Sequence, residues 1–386
     1  MREPKSQRSL SKAVPFLTLN DRFEMKRYSQ LTKRVVNGVR RRLHDAFWRA
    51  VPGTDAEAFL SRPFYLVLEF TNLCNANCIF CPYSQQTRPH EAMSEQIFKK
   101  AVDDYVALGG GSVELTPTVG DPLIHPKFVE WVRYLRSIPE IDQIGVTTNG
   151  ILLDRHGLQA VLDAGLSRIN ISLAGFDEAM YRRVYRSNAY KKVRKNVEEL
   201  LALNSNRAEP IKILLHFRPD RPEEEVLADP DMQPLLRYRS SFRFIRVFSR
   251  SGGMISELRP GMQLATVSAK VKRKPCWKTY TGLVVQSNGD VQACGCESSI
   301  NAPALIVGNV ERQSLQEIWS GARLRTLRQS FIDGSLNANC SSCDYYYEEP
   351  GFHLPAMRKM AKTIRRRSAG EIIRHVEPPP DDWLLG

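Results

Sequence analysis

The chain has 386 residues, 42% hydrophobic and 25% charged, with a net charge of +13 and eight cysteines. That composition belongs to an ordinary globular protein of two or three domains with a sizeable core. No run approaches the ~18–20 apolar residues of a membrane span, and the first residues lack the apolar core of a secretory signal. A cytoplasmic setting is therefore expected, where eight cysteines serve as metal ligands rather than disulfides.

The charge is unevenly spread. Residues 1–62 hold 14 Lys/Arg against 6 Asp/Glu, so the excess sits in a leading arm and the rest of the chain is only mildly basic. No specific nucleic-acid partner is expected on that account. Within the arm, Leu31, Val35, Val39, Leu43 and Phe47 recur every four residues among Lys33, Arg34 and Arg40–Arg42. This spacing predicts an amphipathic basic helix over Phe23–Val51, either packed on the main domain or touching an anionic membrane surface or an acidic partner.

Phe64–Phe70 reads as a buried strand, and directly after it come Cys74, Cys78 and Cys81. Three thiolates in so short a loop can take three corners of one iron–sulfur cube and leave the fourth iron open. The alternatives are three unrelated core cysteines or a zinc knot, for which His90 is the nearest fourth ligand. From here strand and helix alternate. Further strands are expected at Val113–Thr116, Ile144–Thr147, Ile169–Leu173, Ile211–His216 and Phe242–Phe248. Helices are expected at Ser94–Leu108, Lys127–Ser137, Arg155–Ala164, Tyr190–Leu203 and near Glu223–Leu227. Six strands alternating with helices imply a parallel sheet with right-handed crossovers, as a barrel or as a doubly wound open sheet. In a barrel the cysteine loop falls at the catalytic rim.

Past Arg250–Gly253 lies a second cysteine set, Cys276, Cys294, Cys340 and Cys343. Asn288-Gly289 predicts a hairpin over Leu283–Ala293 that brings Cys276 and Cys294 to one end. Four thiolates suit a closed iron–sulfur site or a zinc ribbon. Cys296 is left over, as a core thiol or a substitute ligand. The tail carries Arg365–Arg367, Pro378–Pro380 and Trp383, and either covers the neighbouring domain or binds a partner.

Cys74-x3-Cys78-x2-Cys81, with Phe80 before the third cysteine, resembles the cluster loop of the radical S-adenosylmethionine (SAM) enzymes. Cys276, Gly289 and Cys294, followed by Cys340 and Cys343, resemble an auxiliary-cluster domain of the SPASM type, in its shortened single-cluster Twitch form. The resemblance implies an α/β fold, a partial (β/α)6 TIM-like barrel followed by a small cysteine-rich hairpin and helix domain. The corresponding boundaries are an arm at 1–62, a radical SAM core at 63–255, an auxiliary domain at 256–350 and a tail at 351–386. It implies a SAM-binding 4Fe-4S cluster on Cys74, Cys78 and Cys81, and an auxiliary 4Fe-4S cluster on Cys276, Cys294, Cys340 and Cys343. SAM contacts are carried over to Gly120 and Asp121, in Val119-Gly-Asp in place of the family's Gly-Gly-Glu, and to Asn149 in Thr-Asn-Gly. They also include Ser172, although Ala174 stands where the family has Asp, and Arg186 against the SAM carboxylate. The expected activity is reductive SAM cleavage and a two-electron oxidation of a small molecule such as a sugar or aminocyclitol. A peptide substrate is the alternative, and flavodoxin or ferredoxin is the expected reductant.

Overall fold

The structure, a computed structural model, describes residues 54–372 except 117, 239, 267–271, 273–275, 297–298 and 347–353. The basic helix expected over Phe23–Val51, its membrane or partner contact, and the Pro378–Trp383 stretch lie outside the described residues. No helix among those described is long and apolar enough to cross a membrane.

Six strands appear in the expected order: β1 Tyr65–Leu68, β2 Gly111–Glu114, β3 Ile141–Thr148, β4 Arg168–Leu173, β5 Lys212–Phe217 and β6 Ser241–Phe244. Each pairs in parallel with the next in sequence. That order runs one way around the sheet. A doubly wound sheet would reverse at a switch point, so the architecture is the partial barrel. Helices Glu95–Ala107, Phe128–Ser137, Tyr190–Ser205 and Glu223–Leu227 form the crossovers as expected, the first capped by Ser94 Oγ accepting from the Ile97 amide. Helix Glu178–Tyr185 was not anticipated, and β6 ends before a separate short pair, β7 Val247–Phe248 with β8 Gln263–Leu264.

Strand alternation sorts the side chains onto two faces. Leu66, Leu68, Val113, Ile144, Val146, Ile169, Ile171, Ile213 and Leu215 pack with helix residues such as Phe98, Trp131, Val197 and Leu200. The opposite face, inside the barrel, carries Ser112, Glu114, Thr147, Arg168, Asn170, Ser172 and His216. A polar lumen behind an apolar outer shell is suited to binding rather than to filling with core side chains.

The second cysteine region does not stand apart from this sheet. Its hairpin, β9 Gly282–Val285 and β10 Asp290–Gln292, joins through β9 in parallel to β1, and β11 Ile306–Asn309 pairs with β10. Glu69, fully buried, fastens the junction by accepting from both Arg88 guanidinium nitrogens and from Ser287. On the far side, Asp344 accepts from Ser249 Oγ and the Arg250 amide, just past β7. The auxiliary segment is therefore tied to the core at β1 and again just past β7.

Helix Leu354–Ser368, which the sequence left without a place, docks on helix Thr54–Ser61. From it Arg367 pairs with Asp142 at the foot of β3, both side chains almost wholly buried, and lies over the Phe64 ring. Breaking a buried pair strands the remaining charge. Arg367→Ala is expected to lower unfolding stability by about 3–5 kcal/mol, measured by urea titration. A loss below about 1 kcal/mol, the value of an exposed pair, would contradict this anchoring role.

Candidate active site

The chain between β1 and helix Glu95–Ala107 is held by its own backbone and by two neighbours. Asn72 exchanges hydrogen bonds with Pro89 and Glu91, and Cys74 N–H donates to the Tyr83 hydroxyl at 3.0 Å. The amides of Asn77 and Ile79 donate to the last carbonyls of helix Glu178–Tyr185, at Tyr185 and Val184. That unanticipated helix is thus the seat of the cysteine loop. Phe80 packs between Tyr185 and Phe248, with ring centroids 5.5 and 5.3 Å away. Cys74, Cys78 and Cys81 are half-buried and line one cavity together. Burial pushes the Cys74 thiol up to about 11, and burial with the nearby Cys81 and Cys74 raises Cys78 well above the usual thiol value. His90 is exposed and stacked on Tyr83, so it supplies no fourth ligand.

The same cavity is lined by Gly120, Asp121, Asn149 and Ser172, four of the five residues expected at the SAM site. Gly120 has φ +110°, and a Cβ there would meet the Thr71 carbonyl at 2.7 Å, so only glycine lets the two loops touch. Asp121 is buried, which raises its pKa, and its carboxylate already accepts from the Leu123 amide, the Thr148 hydroxyl and the Asn149 amide. Its visible work is to tie the β2 loop to the end of β3, not to present an unoccupied acceptor. Asn149 in turn donates to Asn75 Oδ1 at 2.7 Å and lies 3.8 Å from Cys74 Sγ.

Arg186 is the exception. It caps helix Glu178–Tyr185 with a left-handed φ of 48°, is exposed, and does not line the cavity. The arginine that does is Arg218, one residue past β5, whose Nη1 donates to Ser172 Oγ at 2.7 Å and whose guanidinium lies over Phe80. The Ser172 hydroxyl is also 2.8 Å from that of Tyr185. Arg218 had one signal in the sequence, a cation directly after a strand end, where barrel enzymes place functional groups.

In the auxiliary segment, β9 and β10 run antiparallel, so Cys276 before β9 and Cys294 after β10 belong to the same end of the hairpin, as expected. Cys340 and Cys343 sit in and after helix Ala338–Ser342, capped by Asn337, whose side chain accepts from the Cys340 amide and also reaches the Cys340 sulfur at 3.5 Å. Cys296 is buried, and it is among the groups near enough to influence Cys340, whose thiol burial raises to about 11. Buried Lys272 was missed by the sequence reading. Its ammonium donates to the carbonyls of Cys340, Ser341 and Cys343 at 2.6, 3.0 and 2.6 Å. It closes the exposed carbonyl end of the helix that carries the thiols. The cavity reaches this segment too, through Lys278 and through Gly295, which stands between Cys294 and Cys296.

Two family models match the chain. One, the radical SAM superfamily, covers residues 68–229, and the other, the SPASM iron–sulfur cluster-binding domain, covers residues 276–344. The protein belongs to the radical SAM superfamily and carries a SPASM domain. A GTP 3',8-cyclase of Chlorobaculum tepidum is 32% identical to this radical SAM protein over 141 residues, 36% of this chain and 42% of the relative. Another, of Petrotoga mobilis, is 33% identical over 153 residues, 39% of this chain and 45% of the relative. The matches thus span less than half of these curated relatives. SuiB of Streptococcus suis, solved bound to its precursor peptide SuiA, superposes with a TM-score of 0.51 at 14% identity, covering 74% of this chain and 70% of that one. That likeness is one of fold.

The two domains imply SAM, a radical SAM 4Fe-4S cluster and auxiliary iron–sulfur. The donor sets fit. Cys74, Cys78 and Cys81 are half-buried on one cavity wall, and thiolates are the ligands that hold a cube, each on a separate iron. Lys272→Ala is expected to loosen the Cys340–Cys343 turn and lower iron after anaerobic reconstitution from about eight toward about four per chain. An unchanged iron count would remove Lys272 from the cluster support.

Proposed function

We propose that this radical SAM enzyme dehydrogenates a hydroxylated small molecule, such as a sugar or aminocyclitol, by a net two-electron oxidation. The supporting observation is the single cavity lined both by Cys74, Cys78 and Cys81 and by Lys278 and Gly295 beside the second cysteine set. A substrate held there lies between the place where a radical is made and a place able to accept an electron. When bound to the first cluster, SAM supplies a 5′-deoxyadenosyl radical that removes a hydrogen atom from substrate.

The chain's own residues position the parts. Cys74, Cys78 and Cys81 hold the first cluster, and Cys276, Cys294, Cys340 and Cys343 hold the second. Gly120 and Asn149 shape the wall beside the open cluster position. Arg218, fixed by Ser172, offers a planar cation suited to the SAM carboxylate. The wall offers Glu114, Thr116, Thr147 and Ser172 beside Tyr65 and Val67, so polar groups are at hand to orient a hydroxylated ligand.

The test is anaerobic incubation with SAM, a chemical reductant and candidate substrates, followed by mass spectrometry. The expected outcome is loss of two hydrogens from a hydroxylated small molecule, matched by 5′-deoxyadenosine. Cyclisation of GTP, or a crosslink formed in a peptide, with no such oxidation would overturn the reading.

A further inference from the structure

His216 lies near the end of β5, on the lumen face, paired in register with Ser172 on one side and Arg243 on the other. Its side chain is 1% exposed, it lines the active-site cavity, and neither ring nitrogen has a hydrogen-bond partner among the described residues. A buried imidazole without partners carries an uncompensated desolvation cost. Ordinary core histidines are hydrogen-bonded. One residue pair deeper on the same face, the Asn170 Oδ1 is also buried and without a partner, while its amide reaches Thr147. Unmet donors and acceptors therefore collect at the floor of the lumen.

Two of the charged groups around them are held by neighbours. Arg168 pairs with Glu114 at 2.6 Å, and Arg218 donates to Ser172. Burial first, then the cations Arg218, Arg243, Arg168 and Lys212, hold the His216 imidazole neutral by lowering its pKa to about 3. A neutral imidazole offers one N–H and one lone pair. A hydroxyl group offers the same two functions in return, whereas a carboxylate or phosphate would use only the single N–H of His216.

We infer that His216 is a substrate-binding residue, which takes a hydroxyl group of a neutral hydroxylated substrate at the floor of the lumen. This assignment rests on the dehydrogenation reading above.

The experiment uses the full chain, reconstituted anaerobically with SAM, and a panel of neutral cyclitols, aminocyclitols and hexoses beside their uronic acids and phosphate esters. Binding is read by isothermal titration for the wild type, His216→Phe and His216→Gln. At least one neutral hydroxylated compound is expected to bind. His216→Phe is expected to weaken it about 10-fold, as for one lost buried hydrogen bond, and His216→Gln, with both a donor and an acceptor, to restore much of the loss. Equal binding by wild type and His216→Phe overturns the assignment, as does selection of the acidic compounds or binding of none. If His216→Phe does not fold, a neutral ligand that fails to perturb the His216 ring-nitrogen NMR signals of the wild type overturns it equally. The wild type's 5′-deoxyadenosine yield is measured alongside. Its absence would sink the dehydrogenation reading while the binding data still judge His216.

Discussion

Cys78→Ala is expected to yield no 5′-deoxyadenosine above background and to retain about four of about eight irons after reconstitution. The middle cysteine of the loop has no substitute nearby. Cys74 and Cys81 sit beside it on the same cavity wall, His90 faces solvent, and the Asn149 amide next to Cys74 is not a thiolate. The auxiliary thiols are carried by other elements, the hairpin and helix Ala338–Ser342, and keep their supports from Asn337 and Lys272. The two effects therefore separate. Radical formation is lost while half of the iron stays. Undiminished 5′-deoxyadenosine would sink the assignment of this loop, and loss of all iron would show that the two sites assemble as one.

A large effect on stability is expected at Arg168. Its guanidinium meets Glu114 at 2.6 Å with both side chains only 3% exposed. The pair spans from β2 to β4 across Gly145 of β3, which is in register with both. A Cβ on Gly145 would lie 2.5 Å from the Glu114 carboxylate and 2.7 Å from Arg168. The missing side chain on the middle strand is what lets the outer two touch. Arg168→Ala removes the buried cation paired with Glu114, at a cost of about 3–5 kcal/mol. The double variant Glu114→Gln/Arg168→Met removes both charges and is expected to recover most of that loss, since the penalty comes from the stranded partner. Urea unfolding midpoints decide it. Equal losses in single and double variants would mean that packing, not charge, holds this site.

Much of the barrel was legible along the chain. Val113, Ile144, Ile169 and Ile213 mark strands because alternate apolar residues must pack on the helical shell, and a period of two is a local property. The first cysteine loop was legible for a similar reason, since its thiols fall within eight residues. Helix Glu178–Tyr185 was hidden behind a motif reading of the same stretch. The two arginines are placed differently. Arg186 sits at the position the motif suggests, but it ends a helix in the left-handed conformation and is exposed. Arg218 reaches Ser172 from the next strand over.

Residues near in sequence thus sufficed for the cofactor class, the six barrel strands and the eight thiols. Contacts between residues far apart did not follow from them. The β1–β9 pairing that continues the barrel into the cluster domain, the ammonium of Lys272 under Cys340 and Cys343, and the docking of Arg367 on Asp142 all depend on chain segments that meet only after folding. So does the polarity of the lumen. Glu114, Arg168, Asn170 and His216 look like scattered strand residues until parallel pairing lines them up on one face. Backbone periodicity is written every two or four residues, whereas strand order, register and the partners of a buried charge are set by which surfaces exclude water together.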